Sequence, residues 1–181
     1  MEKQFKHISK FLSLVLRHQP EEIGLTLDNE GWADVAELIT KMNRKGGKLD
    51  FALLQLIVDT NDKKRYSFNE DKTRIRANQG HSVEVDLNLE PKVPPAILYH
   101  GTTDKYIDVI RQHGIQKMRR HHVHLTTTEA TALNVGSRHG KPLLLVINAL
   151  KMHEQSYAFY LSVNGVWLTD HVPPAFIDFA G

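Results

Sequence analysis

With 181 residues, 41% of them hydrophobic, the chain is long enough to bury a proper core as one domain or as two small ones. A formal net charge of +2, eleven histidines and a pI near 8.8 tilt the surface towards basic, which suits an anionic partner. The absence of cysteine excludes disulfides, thiolate nucleophiles, cysteine-ligated zinc and cysteine-held iron–sulfur clusters.

Phe5, Ile8, Leu12 and Val15 recur at helical spacing, and Gln19 followed by Pro20 stops that helix just after Arg17 and His18. Asp34 and Glu37 form a capping pair ahead of Val35, Leu38, Ile39 and Met42, with Gly46 and Gly47 at the end of this second helix. Asp50 caps a third helix through Leu53, Leu54, Ile57 and Val58. A hairpin follows, with one strand at Arg65–Phe68, a turn from Asn69 to Lys72 and a second strand at Arg74–Ala77. Three helices and a hairpin give a winged-helix outline.

Pro91, Pro94 and Pro95 mark a linker around a short acidic segment. Beyond it strands are expected at Ile97–His100, His122–Leu125, Leu143–Ile147 and Ala158–Leu161, with a hairpin through Asn164 and Gly165 into Val166–Leu168. Two helices interrupt them: one over Lys105–His113, ended by Gly114, and one capped by Thr126 with Glu129 and ended near Gly136. The expected fold class is α+β, with lobes at 1–88 and 89–181 facing each other across a cleft. The opening residues lack the apolar stretch of a secretory signal and no run is long enough to span a bilayer, so a cytoplasmic protein is expected.

Arginine and histidine gather in islands: Arg17 with His18, Arg65, Arg74 with Arg76, the phrase Tyr99–Thr102, and the stretch Arg119–His124. Guanidinium groups clamp phosphate bidentately and imidazole positions or moves a proton near neutrality, so the combination points to phosphate chemistry. Arg17 and His18 sit on a last helical turn, where the dipole favours cations whatever their role. If the hairpin packs beside the first helix, Arg65 and Arg76 converge with them on one anion; otherwise they line a wet face. His100, at a strand end and followed by Gly101, suits a ribose hydroxyl. Alternation puts His122 and His124 on one face and His121 and Val123 on the other. No helical zinc-protease motif and no nearby acidic ligand accompany these imidazoles, so no metal is expected.

Several longer phrases occur in order along nearly the whole chain: Leu14–Pro20, Asp28–Trp32, Arg74–Ser82, Leu98–Thr102 and Arg120–Leu125. Together they resemble the RNA 2′-phosphotransferase family of the KptA type. The resemblance implies an N-terminal winged-helix RNA lobe joined to a C-terminal ADP-ribosyltransferase-like mixed α/β lobe that binds NAD. It also implies a monomer acting on a tRNA-like RNA with an internal 2′-phosphate, which attacks the anomeric carbon of the nicotinamide ribose. Nicotinamide leaves, an RNA-phospho-ADP-ribose intermediate forms, and the 2″-hydroxyl then attacks phosphorus to release 2′-hydroxyl RNA and ADP-ribose 1″,2″-cyclic phosphate.

By the same resemblance Arg17, His18, Arg65 and Arg120 are catalytic, and Arg76 and His81 are further RNA or phosphate contacts. His100, Gly101, Thr102 and His122, with Gly136, Ser137 and Arg138, belong to the NAD pocket. One departure from many ADP-ribosyltransferases is a missing late glutamate: none follows Glu154, and the corresponding strand is apolar around Val172. A phosphate dianion is already a competent nucleophile and needs no base, so the absence favours phosphate over a neutral acceptor. A terminal phosphate of RNA or DNA is the alternative acceptor, and an NAD-sensing winged-helix regulator the non-enzymatic one. A DNA reader usually loads its recognition helix, whereas these cations end the first helix.

Overall fold

The helix α1 (Glu2–Arg17) forms because Ile8, Leu12, Val15 and Leu16 return to one face, and all of these are buried. It stops before Pro20, which opens a 3-10 turn over Pro20–Ile23. The computed structural model describes residues 2–179, and the chain divides into two compact units at the boundary between Asn88 and Leu89.

In the first unit a short strand β1 (Ala33–Asp34) runs into α2 (Val35–Arg44), whose Asp34 carboxylate accepts from the Glu37 amide. Asp50 does the same for Leu53 at the start of α3 (Phe51–Thr60). Each cap contributes about 1 kcal/mol. The hairpin strands β2 (Tyr66–Phe68) and β3 (Arg74–Ala77) pair antiparallel, Tyr66 opposite Ala77 and Phe68 opposite Ile75. Sequence reading expected a hairpin alone; β1 adds a third strand through Ala33 opposite Ile75. The two-residue β1 is too short to show alternation. Tyr66, Ile75 and Ala77 face the core with Leu12, Leu16, Leu38 and Leu54, which turns Arg65, Ser67 and Arg76 to the opposite face. The Tyr66 hydroxyl donates to the Ser9 carbonyl at 2.7 Å, tying β2 to α1.

The second unit comprises β4 (Leu98–Thr103), α4 (Asp104–His113), β5 (Ile115–Gln116), β6 (Val123–Leu125), α5 (Glu129–Gly136), β7 (Pro142–Ile147), α6 (Ala149–Glu154), β8 (Phe159–Leu161), β9 (Trp167–Thr169), β10 (His171–Val172) and β11 (Ile177–Asp178). One antiparallel sheet has the order β11-β7-β4 and another β6-β9-β8, with β5 and β10 as a separate pair. The two larger sheets touch through one backbone bridge, Tyr99 with Thr126, at 2.8 and 2.9 Å. That bridge moves the start of α5: Thr126 is held in extended backbone, so Thr128 rather than Thr126 is the cap, accepting from the Thr131 amide. Leu98, Leu125, Leu145, Ile147, Met152 and Phe159 form the fully buried centre. Among the described residues no helix is long and apolar enough to cross a membrane. The architecture is mixed α and β, with small antiparallel sheets.

Candidate functional site

In the first unit the groups of interest surround the C-terminal end of α1. The chain segment following β3 folds over that end, where the Ser82 and Val83 amides donate to the Arg17 carbonyl at 2.8 and 3.2 Å. Arg17 Nη2 donates to Gln79 Oε1 at 3.3 Å, and His18 Nδ1 is 2.8 Å from Ser82 Oγ. The preceding residue, Asn78, donates its amide to the Arg65 carbonyl at 2.8 Å. Residues 78 and 79 therefore link the backbone of Arg65 to the side chain of Arg17. Arg65 is half-buried, and its guanidinium has no hydrogen-bond or ion-pair partner among the described residues.

Arg76 shares the hairpin face with Arg65, because Ser67 is its register partner. Its guanidinium carbon stands 4.5 Å from the centre of the Trp32 ring, and Nη1 donates to the Glu30 carbonyl at 3.4 Å. Arg74, exposed, is committed to Asp28 at 2.9 Å. His81 is placed differently from the other cations: it is 1% exposed, packed towards Gly31, where a Cβ would meet its Nε2 at 3.2 Å. Gly31 also has φ +83°, so a side chain there is disfavoured twice. His81 anchors the segment instead of lying on the surface with Arg76.

In the second unit His124 is the hub. Its carbonyl accepts from His100 Nδ1 at 3.0 Å, and its Nδ1 accepts from Arg120 Nη1 at 3.1 Å. The first bond fixes the His100 tautomer and leaves Nε2 as the acceptor nitrogen. Burial lowers the His100 pKa, and the His124 carbonyl opposes that only in part, so the ring is neutral. Arg120 is exposed, yet crowding by surrounding protein and then the like charge of Arg138 hold its pKa below the ordinary guanidinium value. Neither arginine has a carboxylate partner among the described residues. Two cations that repel each other without a counter-acid make a seat for an anion.

His122 points to the same side of the strand as His124, since Val123 and Leu125 are buried. Its ring lies 5.4 Å from that of Tyr160, and Nε2 is 4.0 Å from Asp170. Its pKa is lowered mainly by burial, raised by Asp170, and lowered again by His121 and Lys117.

Gly101, Thr102 and Gly136 serve packing. A Cβ at Gly101 would fall 1.7 Å from the Ala132 carbonyl oxygen, and one at Gly136 would fall 2.8 Å from that of Thr102. Thr102 is buried, and the Ser137 hydroxyl donates to Asn134 at 2.7 Å. Thr103 Oγ1 is buried with no hydrogen-bond partner among the described residues. The side chains this unit brings together are thus His100, Arg120, His122, His124 and Arg138. His124, like Gln79, Ser82 and Trp32 in the first unit, was not singled out as a site residue from sequence. Alternation had placed it beside His122; the other three lie within the phrases that carry the family resemblance, with nothing to mark their contacts.

The RNA 2′-phosphotransferase, Tpt1 / KptA family model matches residues 3–171. Relatives named "Probable RNA 2′-phosphotransferase" include one from Flavobacterium johnsoniae, 56% identical over 174 residues and covering 96% of both chains. Another, from Rhodopirellula baltica, is 56% identical over 179 residues, covering 98% of this chain and 97% of its own. The Pseudomonas aeruginosa relative is 53% identical over 176 residues, covering 97% of both. With a family model over nearly the whole length and relatives matched end to end at this identity, the chain belongs to the RNA 2′-phosphotransferase family of the Tpt1 / KptA type.

Proposed function

We propose that the protein is an NAD-dependent RNA 2′-phosphotransferase that moves an internal RNA 2′-phosphate, of the kind left at a tRNA splice junction, to NAD. In this reading residues 1–88 are the winged-helix RNA lobe and residues 89–181 the ADP-ribosyltransferase-like lobe. The observation that carries it is the arrangement at the end of α1: Arg17 and His18 contact Gln79 and Ser82, and the neighbouring Asn78 is hydrogen-bonded to the backbone of Arg65, whose guanidinium has no partner among the described residues. A phosphomonoester next to a phosphodiester is crowded negative charge, and clustered guanidinium groups answer it.

Arg17 and Arg65 hold the 2′-phosphate, and Arg76, stiffened against Trp32, contacts the RNA backbone. The residues of the second unit fit a nicotinamide dinucleotide: His100 offers a fixed acceptor to a ribose hydroxyl, and Arg120 with Arg138 offers uncompensated positive charge to a phosphate. His122 lies on the same strand face as His124. The dinucleotide supplies the anomeric carbon and nicotinamide as leaving group. That departure turns a pyridinium neutral, so the attacking phosphate oxygen needs no proton removed. In the second step a proton must pass from the 2″-hydroxyl to the departing RNA 2′-oxygen; His18 assists that passage, and Arg120 neutralises charge on the phosphoryl oxygens.

The test is to incubate the purified protein with an RNA carrying an internal 2′-phosphate, with and without NAD. The reading expects 2′-hydroxyl RNA, nicotinamide and ADP-ribose 1″,2″-cyclic phosphate in equal amounts, only with NAD. Inertness on that RNA together with a stable ADP-ribosyl group on terminally phosphorylated strands would instead establish the terminal-phosphate reaction.

A further inference from the structure

Arg74 and Arg76 stand on one face of β3, since Ile75 and Ala77 are buried on the other. The two cations meet different ends, and one carboxylate governs both. Asp28 Oδ2 accepts from Arg74 Nη1 at 2.9 Å, while Oδ1 accepts from the backbone amides of Glu30 and Trp32, each at 2.9 Å. Two backbone bonds close the same turn: the Asp28 amide donates to the Trp32 carbonyl at 2.9 Å, and the Gly31 amide to the Asp28 carbonyl at 3.0 Å. The Trp32 ring and the Glu30 carbonyl, which receive the Arg76 guanidinium, thus both come from the turn that Asp28 closes.

We infer that Asp28 is a positioning residue: it seats Arg76 by fixing the turn 28–32, and it takes up the charge of Arg74, so that Arg76 is the β3 cation offered to RNA. RNA as the ligand rests on the proposed function, whereas the seat stands on geometry alone. An arginine side chain loses rotamer freedom when it binds, so a seat that removes that freedom beforehand lowers the cost of binding. The sign of the effect is diagnostic. A carboxylate repels a polyanion, so charge alone predicts that removing Asp28 tightens RNA binding. The seat predicts the reverse.

The decisive variants are Asp28→Ala and Asp28→Asn, compared with wild type in equilibrium binding of a 2′-phosphorylated RNA without NAD, in steady-state turnover, and by nitrogen NMR of the arginine side chains. In Asp28→Ala the RNA affinity is expected to fall about ten-fold, the equivalent of one ordinary hydrogen bond, and KM for RNA to rise with it, while kcat and KM for NAD hold. Asp28→Asn loses the ion pair but keeps Oδ1 on the turn, and is expected to recover most of that affinity. With Arg76→Ala already in place, Asp28→Ala is expected to cost nothing further. Trp32→Leu leaves the Asp28 carboxylate in place but removes the ring, and is expected to reproduce the loss, which tests the seat however well Asp28→Ala folds. The NMR needs no RNA: Arg76 Nε is buried, and its resonance, assigned from an Arg76→Ala spectrum, is expected to shift in Asp28→Ala and to stay near its wild-type position in Asp28→Asn.

Tighter or unchanged RNA binding by Asp28→Ala would overturn the inference, as would an equal loss with and without Arg76, a fall shared by kcat and NAD affinity, full RNA affinity in Trp32→Leu, or an Arg76 Nε resonance that does not move. If wild type binds the 2′-phosphorylated RNA but does not transfer its phosphate, the proposed function falls and the seat survives.

Discussion

Gly101 in β4 lies so close to Ala132 in α5 that a Cβ on the glycine would sit 1.7 Å from the Ala132 carbonyl oxygen. The obstacle is backbone, so no rotamer change relieves it, and the strand and helix would have to part. Gly101→Ala is therefore expected to destabilise the protein by about 3 kcal/mol or more, at the upper end of overpacking costs. Denaturant unfolding measures this directly, and a variant as stable as wild type would contradict the packing. Since β4 also carries His100, NAD binding is expected to weaken in parallel.

Arg65 and Arg17 separate binding from stability. Arg65 has no protein partner for its guanidinium among the described residues, so Arg65→Ala is expected to change unfolding free energy by less than about 0.5 kcal/mol. Its effect on turnover is opposite in scale: losing one guanidinium clamp on a transferring phosphoryl group costs roughly 10²-fold or more. Near-normal turnover by Arg65→Ala would remove it from the site.

The capped helices were legible because each carries its signal locally: Asp34 three residues before Glu37, Asp50 three before Leu53, Pro20 just past Arg17. The pairing of the hairpin with β1 and of β5 with β10 was not, since two-residue strands have no period and His171 finds Gln116 across more than fifty residues. The helix α6 was missed for a related reason: Asn148 makes no side-chain cap and Ala149 and Met152 are its buried residues. At the candidate site, residue type marked the islands that contain Arg17, His18, Arg65 and Arg120 and the family resemblance singled these four out, but neither showed what contacts them. Ser82 and Gln79 are ordinary loop residues in sequence; only the fold of the segment over the end of α1 gives them a partner. His81 shows the converse, an imidazole in a cationic stretch that tertiary packing draws inside.

His100 gives a pH prediction with a definite sign. Its folded pKa lies below the ordinary 6.5, chiefly through burial. A depressed pKa means that its contribution to stability is complete above the unfolded value and is lost as pH falls through the folded value. NAD affinity is expected to follow the same course, level across neutral pH and still held just under 6.5, then falling when Nε2 is protonated and ceases to accept. Titration calorimetry across that range checks it. His100→Ala is expected to weaken NAD binding more than RNA binding and to abolish this pH dependence.

Arg120 and Arg138 lack acidic partners among the described residues, and the Arg120 pKa is lowered first by burial and then by the like charge of Arg138. An anion that binds between them relieves that repulsion and favours the folded state by mass action. Inorganic pyrophosphate is therefore expected to raise the thermal midpoint of wild type and to lose most of that effect in Arg120→Ala and in Arg138→Ala. Arg120→Lys separates charge from shape: lysine keeps the positive charge but neither the planar fork nor the donor geometry that reaches His124 Nδ1 at 3.1 Å. It is expected to retain part of the pyrophosphate shift while losing roughly 10²-fold in the second chemical step. Phospho-ADP-ribosylated RNA then accumulates as nicotinamide release continues. If Arg120→Lys instead turns over like wild type without accumulation, a point charge suffices there, and the fork fixed by His124 has no part in the reaction.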